Sequence, residues 1–357
     1  MAQTAITYNR QIILVQSVSG EVIRVQIKYH HPYQVRQLRN AVQFAIHKGE
    51  RLFGHYPYPS LEILEVPTGS APIWSKPGQI AISEKQGWTA DYRQPEKLDH
   101  IDYLVSREVF RQWLVHRIQP SHQPGEGFVR QSLADYLALD IISRQYGTDR
   151  LTQRLLQRKA LYVRNRNRIH KPEVPVLKST GNDALEYGRA ALALNSIGQI
   201  WGSKPLSLTI AQFYRQAVQK PGSATASAFA NTLANNLPDS LHYLTTYLSD
   251  QLWFDFKVGR IAALPDRMTI SVFATKWREN TDGQRHYIPI NDFVPLVVVD
   301  EQGREIYRQL AHPNPDKPEV SLPALPTARA VLIDPLGAWP ELSRHDNNKL
   351  LKAATSL

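Results

Sequence analysis

Apolar and polar residues alternate at the start of the chain. Ile23, Val25 and Ile27 are separated by polar residues in "VIRVQIKY" (22–29), and a β-branched run precedes the turn "SVSG", so two strands are predicted over 11–29. The period then lengthens. Val35, Leu38, Val42, Ala45 and Ile46 recur at helical spacing within "QVRQLRNAVQFAIHKGERLFG". "LEILEV" (61–66) alternates again, and "QIAIS" (79–83) reads as a short strand after the Pro/Gly-rich loop "PTGSAPIWSKPG". Helical spacing prevails from 98 to 250, over 98–118, 128–147, 149–162, 183–201, 206–219, 225–235 and 239–249. Gly147, Gly202 and Gly222 lie at helix ends, where a left-handed residue closes the last turn. Beyond Leu252 the texture changes to "WFDFKVGRIAAL", "RMTISVFATKW", "QRHYIPI", "FVPLVVVD", "EIYRQLA" and "ARAVLIDP", short strands separated by "PD", "TDG" and "EQG". That pattern predicts an antiparallel β-sandwich of ~85 residues behind an α/β start.

Composition narrows the possibilities. A chain of 357 residues, 42% hydrophobic and 21% charged, is long enough for two domains with real cores and too apolar for general disorder. The absence of cysteine excludes disulfides, Cys-ligated zinc and thiol catalysis together. Apolar runs such as "PLVVV" (295–299) fall far short of the ~18 residues of a membrane span, and the start lacks a basic-then-apolar signal sequence, so a soluble chain is expected. A net charge of +10 favours anionic partners. The basic run "QRKALYVRNRNRIHK" (157–171) could track a phosphate backbone with Tyr162 as a stacking surface, but no nucleic-acid fold signature accompanies it. A solvated helix end is the better reading of that run. P-loop, GxGxxG and GxSxG motifs are absent.

One helix carries candidate chemistry. "VSREVFRQWLVHRI" (105–118) has the rhythm of the zinc-binding HExxH helix, with Arg107 and Arg111 at the histidine positions around Glu108. Residues four apart share a helix face, so the two arginines point the same way with Glu108 beside them. His100, His116 and His122 lie nearby, at spacings that match no ligand pattern.

"REVFRQWLVHRIQPSHQPGEGFVRQSLADYLALDIISRQYG" resembles the core of the M1 aminopeptidases (gluzincins), particularly the form fused to bacterial ABC transporter permeases, with its HEVAHQWW and SExLAQY segments. The likeness continues through "YVRNR" (162–166), "EVPVL" (173–177), "EYGRAALAL" (186–194) and "IDPLGAWPELSRHDNN" (333–348), and covers about residues 18–348. It implies an α+β fold: a thermolysin-like α/β domain with a helical part over 18–250 and a β-sandwich over 251–337, flanked by an extension at 1–17 and a tail at 338–357. It also implies roles for residues. Glu108 holds the general-base position and Tyr187 the catalytic tyrosine position, while Arg107, Arg111 and Gln131 stand at the three zinc-ligand positions. Lys76 stands where the edge strand of the family carries a glutamate that binds the substrate's amino terminus.

Those departures decide the chemistry expected. Guanidinium offers no lone pair and stays protonated, so neither arginine can ligate a cation. Each also repels Zn²⁺, since a unit charge pair ~4 Å apart at an effective dielectric of ~20 already interacts by ~4 kcal/mol. Without zinc, water near Glu108 keeps its bulk pKa of about 15.7 in place of ~7. No metal cofactor is therefore expected, and the resemblance implies an inactive domain on the extracytoplasmic (periplasmic) face of the bacterial inner membrane. Its partners would be the permease or ATPase components of an ABC-2-type transporter, a peptide-like ligand, or an anionic membrane surface. An ion pair of Glu108 with Arg111 at i, i+3, completed by Arg107 or Gln131, is one expectation for the site. Two close guanidiniums, with Lys76, could instead receive a carboxylate or phosphate. A zinc aminopeptidase with atypical ligands and a polyanion or nucleic-acid binder are the competing functional classes.

Overall fold

The computed structural model describes residues 8–18, 20–89, 91–94, 97–166, 173–341 and 343–351. Residues 167–171 of the basic run, and the outer parts of the extension and tail (1–7 and 352–357), lie outside the described residues. Strands β1 (Asn9–Gln16) and β2 (Val22–Tyr29) pair antiparallel, and Ile23, Val25 and Ile27 are buried as the alternation requires. Helix α1 (Val35–Phe53) links β2 to β3 (Ser60–Val66), which runs parallel to β2. Next come β4 (Ile73–Lys76) and β5 (Gln79–Ser83), an antiparallel pair in which β5 is also parallel to β3, and then the short helix α2 (Glu84–Gly87). The sheet order is β1-β2-β3-β5-β4, so β4 is an edge strand. Four residues between Pro72 and Pro77 are too few for alternation to register, which is why the sequence reads there as loop.

Helix α3 (His100–Arg111) continues into a π-helical turn, Gln112–Arg117, and a second π turn, Phe128–Ser132, leads into α4 (Leu133–Tyr146). After α5 (Thr148–Arg166), a third π turn, Ala184–Arg189, opens α6 (Ala190–Trp201). Then follow α7 (Ser203–Gln219), α8 (Ala226–Asn236), a 3-10 segment at Asp239–Thr245 and α9 (Thr246–Ser249). Every helix expected from apolar spacing is present, the last of them mostly as 3-10. Gly147 and Gly202 close α4 and α6 at φ of 85° and 109°, a region open to glycine at no steric cost. Helix α3 packs against α1 and α4, and Val105, Val109 and Phe110 are fully buried.

The C-terminal strands are β6 (Gln251–Ala263), β7 (Arg267–Glu279), β8 (Arg285–Ile288), β9 (Val294–Val299), β10 (Glu305–Ala311), β11 (Glu319–Pro323), β12 (Ala330–Ile333) and β13 (Asn348–Leu350). They form two antiparallel sheets, β10-β9-β12-β13 and β11-β7-β6 with β8 beside β7, the sandwich-like arrangement anticipated. Trp253, Phe254, Phe256 and Trp339 are buried there, as is the ion pair of Lys276 with Asp292 at 2.8 Å. Strands β6 and β7 are 13 residues each, longer than expected. The register shifts between Val258 and Ile261, and a Cβ on Gly259 would lie 2.6 Å from the Phe273 ring. A bulge of this kind breaks the alternation without ending the strand.

The chain divides into two compact units, Met1–Leu151 with Ser207–Thr232, and Thr152–Leu206 with Leu233–Leu357. The five-stranded sheet and α1 to α4 belong to the first; α6, α9 and both C-terminal sheets belong to the second.

Candidate functional site

The centre of the site is a buried carboxylate. Glu108 is 2% exposed, on the face of α3 that also buries Val105 and Val109. A buried charge of this kind persists only when paired and hydrogen-bonded. Arg107 supplies Nε at 3.0 Å and Nη2 at 2.9 Å to one oxygen, a two-pronged contact. Arg111 Nε lies 3.2 Å from the other oxygen, close enough to pair but not aligned to donate. The hydroxyl of Ser75 donates to that same oxygen at 2.6 Å. Burial pushes the Glu108 carboxyl up, but the charges of Arg107 and Arg111 and the Ser75 hydroxyl outweigh it and hold the group below the ordinary carboxylate range.

The network extends to both neighbouring elements. Arg111 Nη1 donates to the Arg130 carbonyl at 3.2 Å and to the Gln131 side-chain oxygen. The Arg107 guanidinium sits 5.6 Å from the ring of Tyr103, whose hydroxyl donates to the fully buried Asp135 of α4. Gln112 ties the helix to the edge hairpin: its Nε2 donates to the Lys76 carbonyl at 3.3 Å and its Oε1 accepts the Gly78 N–H at 2.9 Å.

Ser75 also lies 3.0 Å from His116 Nε2. A serine beside a histidine and a glutamate resembles a nucleophile with its base, but the protons are placed otherwise. Ser75 has one proton, and it goes to Glu108, so the imidazole must donate to the hydroxyl and cannot accept from it. Burial and the positive charges of Arg111 and Arg130 push His116 down to about 4, which leaves it neutral and a weak base. Glu108, neutralised by two guanidiniums, is no better.

The structure brings Arg107, Glu108, Arg111 and Gln131 together. Lys76 is not with them. The side chain of β4 that reaches the site is Ser75; Lys76 is exposed, with its ammonium 5.7 Å from the Trp74 ring, because successive side chains of a strand face opposite ways. Tyr187 belongs to the second unit, in the π turn that opens α6, half-buried with the Arg158 guanidinium 5.5 Å from its ring. His100 and His122 are engaged elsewhere, with Gln86 and Glu126. Residues missed by the sequence reading are Ser75, Tyr103 and Asp135, brought in by tertiary packing from β4, the preceding turn of α3 and α4. Tyr162 of the basic run is 1% exposed and donates to Glu173, so it offers no stacking surface.

The donor set does not fit zinc. Two of the three positions that the resemblance assigns to metal ligands are guanidiniums, and the third, Gln131, already accepts from Arg111. What the arrangement can do is hold α3, α4 and the edge hairpin in register.

The architecture is the gluzincin fold of the M1 zinc aminopeptidases, which are its structural neighbours. Aminopeptidase A of Legionella pneumophila, solved in complex with aspartic acid, aligns with a TM-score of 0.63 at 15% identity, over 95% of this chain and 38% of its own. An M1 zinc metallopeptidase from Deinococcus radiodurans aligns with a TM-score of 0.50 at 14% identity, over 68% of this chain and 52% of its own. A point mutant of that enzyme gives 0.51 at 13% identity over the same shares. The chain thus spans well under two thirds of these proteins, and identities this low establish the fold alone. No family profile and no curated protein matches the sequence.

Proposed function

We propose that this chain is a catalytically inactive M1-peptidase-like domain that works by binding. In this reading it is the extracytoplasmic part of an ABC-2-type transporter permease, and it contacts the transporter components, a peptide-like ligand or the anionic membrane surface beside them. One observation carries the inactivity: the Glu108 carboxylate is held by Arg107 and Arg111 and receives the Ser75 hydroxyl, so it can neither activate water nor help to grip a metal. Support for a membrane-side role comes from the resemblance and the net charge of +10. Among the described residues no helix is long and apolar enough to cross a membrane.

The test is hydrolysis of a panel of aminoacyl amide reporters by the purified chain with added Zn²⁺. No turnover above the uncatalysed rate is expected, with or without chelator. Turnover that chelator abolishes and that Glu108→Gln removes would overturn the reading.

A further inference from the structure

Glu65 breaks the pattern of its strand. Leu61, Ile63 and Glu65 are the inward residues of β3, all three fully buried, and the last is a carboxylate where an apolar side chain is due. It lies at the carboxyl end of β3, between the ends of β2 and β5. These three strands are parallel neighbours, so their carboxyl ends come together on one edge of the sheet. Crevices at such ends are where open α/β sheets bind ligands. Immediately past β2 are His30 and His31, and immediately past β5 is Glu84.

Their donor atoms converge. His31 Nδ1 is 2.5 Å from Glu65 Oε1, and one donor atom from each of His31, Glu65 and Glu84 lies within 4.8 Å of the other two. Both carboxylates are oriented from behind. The backbone N–H groups of His30 and His31 donate to Glu65 Oε2 at 2.6 and 3.0 Å, and the Thr68 N–H and hydroxyl donate to Glu84 Oε2 at 3.0 and 2.8 Å. Oriented carboxylates behind a ligand set are the usual support of a metal site. His31 and Glu84 are half-buried, which leaves the group open to solvent on one side.

We infer that His31, Glu65 and Glu84 form a divalent-cation site, with Zn²⁺ the ion that fits best. One imidazole nitrogen and two carboxylate oxygens are a zinc donor set with the fourth position left for water. The two carboxylates neutralise the ion. Tetrahedral bonds of about 2.0 to 2.2 Å place the donors ~3.4 Å apart, so His31 Nδ1 and Glu65 Oε1, now 2.5 Å apart, would separate by about 1 Å to admit the ion. The competing arrangement is a protonated His31 held between two carboxylates with no ion at all. It uses the same residues but has no reason to select a metal.

Chelator-stripped full-length chain titrated with Zn²⁺ by calorimetry separates the two. A single saturable site is expected, and His31→Ala and Glu84→Gln should each weaken it by about tenfold or more. Glu84→Gln keeps the side chain's shape, which guards against a loss that merely reports misfolding, and circular dichroism of both variants checks this. In parallel, the His31 imidazole resonances should shift on saturation with Zn²⁺. No saturable binding, or binding equally tight in both folded variants, overturns the site. Neither result bears on reporter hydrolysis, so this inference and the inactivity proposed above fail separately.

Discussion

Glu108 and its partners form a set in which each member is present because the others are. The carboxylate without the guanidiniums is a buried charge, and the guanidiniums without it are two like charges on one helix face. His116 feels the same field, and its titration is the accessible readout. In the unfolded chain its imidazole takes a proton as pH falls through 6.5, whereas in the fold it stays neutral down to about 4. Over that window the unfolded chain binds more protons, so stability declines as pH falls from 6.5 to 4. His116→Gln keeps a donor for Ser75 and removes the titration. Urea midpoints at about pH 7 and about pH 4.5 should therefore differ less in the variant than in the parent chain. An equal difference in both would refute the placement of His116. Arg107, Glu108 and Arg111 were legible in the sequence because helical spacing puts 107 and 111 on one face with 108 beside them, whereas Gln131, on a separate helical segment, was reached only through the resemblance. His116 stands out in the sequence only as a nearby imidazole, since it lies in a π-helical turn that 3.6-residue spacing does not anticipate and meets the site through Ser75 of another element. Ser75 and Asp135 reach the site through tertiary packing that no local pattern encodes.

At the level of elements, the position of α3 depends on how closely α1 approaches it. Gly49 of α1 lies against the fully buried Trp113, and a Cβ there would meet the indole at 2.5 Å. Trp113 is itself fixed by its Nε1–H donating to the His55 carbonyl at 3.0 Å. Gly49→Ala should destabilise the chain by about 1 to 3 kcal/mol, because the ring cannot yield without shifting the turn that carries His116. Urea unfolding measures this, and a neutral or stabilising effect would mean that the helices are free to part. Most elements could be read from period alone. The exceptions have local causes: β4, β11 and β13 are only three to five residues long, too short for alternation to register, and π turns carry no sequence period of their own.

For the whole molecule, architecture and identity have come apart. A structure aligning over 95% of the chain shares 15% of its residues, which is possible because fold depends on pattern and volume more than on particular side chains. The charge carries information that the fold does not. With a net charge of +10, the membrane-side reading predicts association with vesicles containing phosphatidylglycerol at low ionic strength, lost as salt is raised and absent for phosphatidylcholine vesicles. Sedimentation with the vesicles measures it, and equal binding to both lipids would count against the reading.

The interlocking of Arg107, Glu108 and Arg111 also constrains what sequence change can reach. Replacing either arginine by histidine alone removes one of the two guanidiniums that hold the buried Glu108 and leaves the other arginine at the second ligand position, so, on the inactive reading proposed above, the first step toward a metal centre would loosen a buried network without completing a donor set. On that reading, only a concerted exchange at 107, 111 and 131 would supply all three ligands at once, so point mutation alone would not readily restore them.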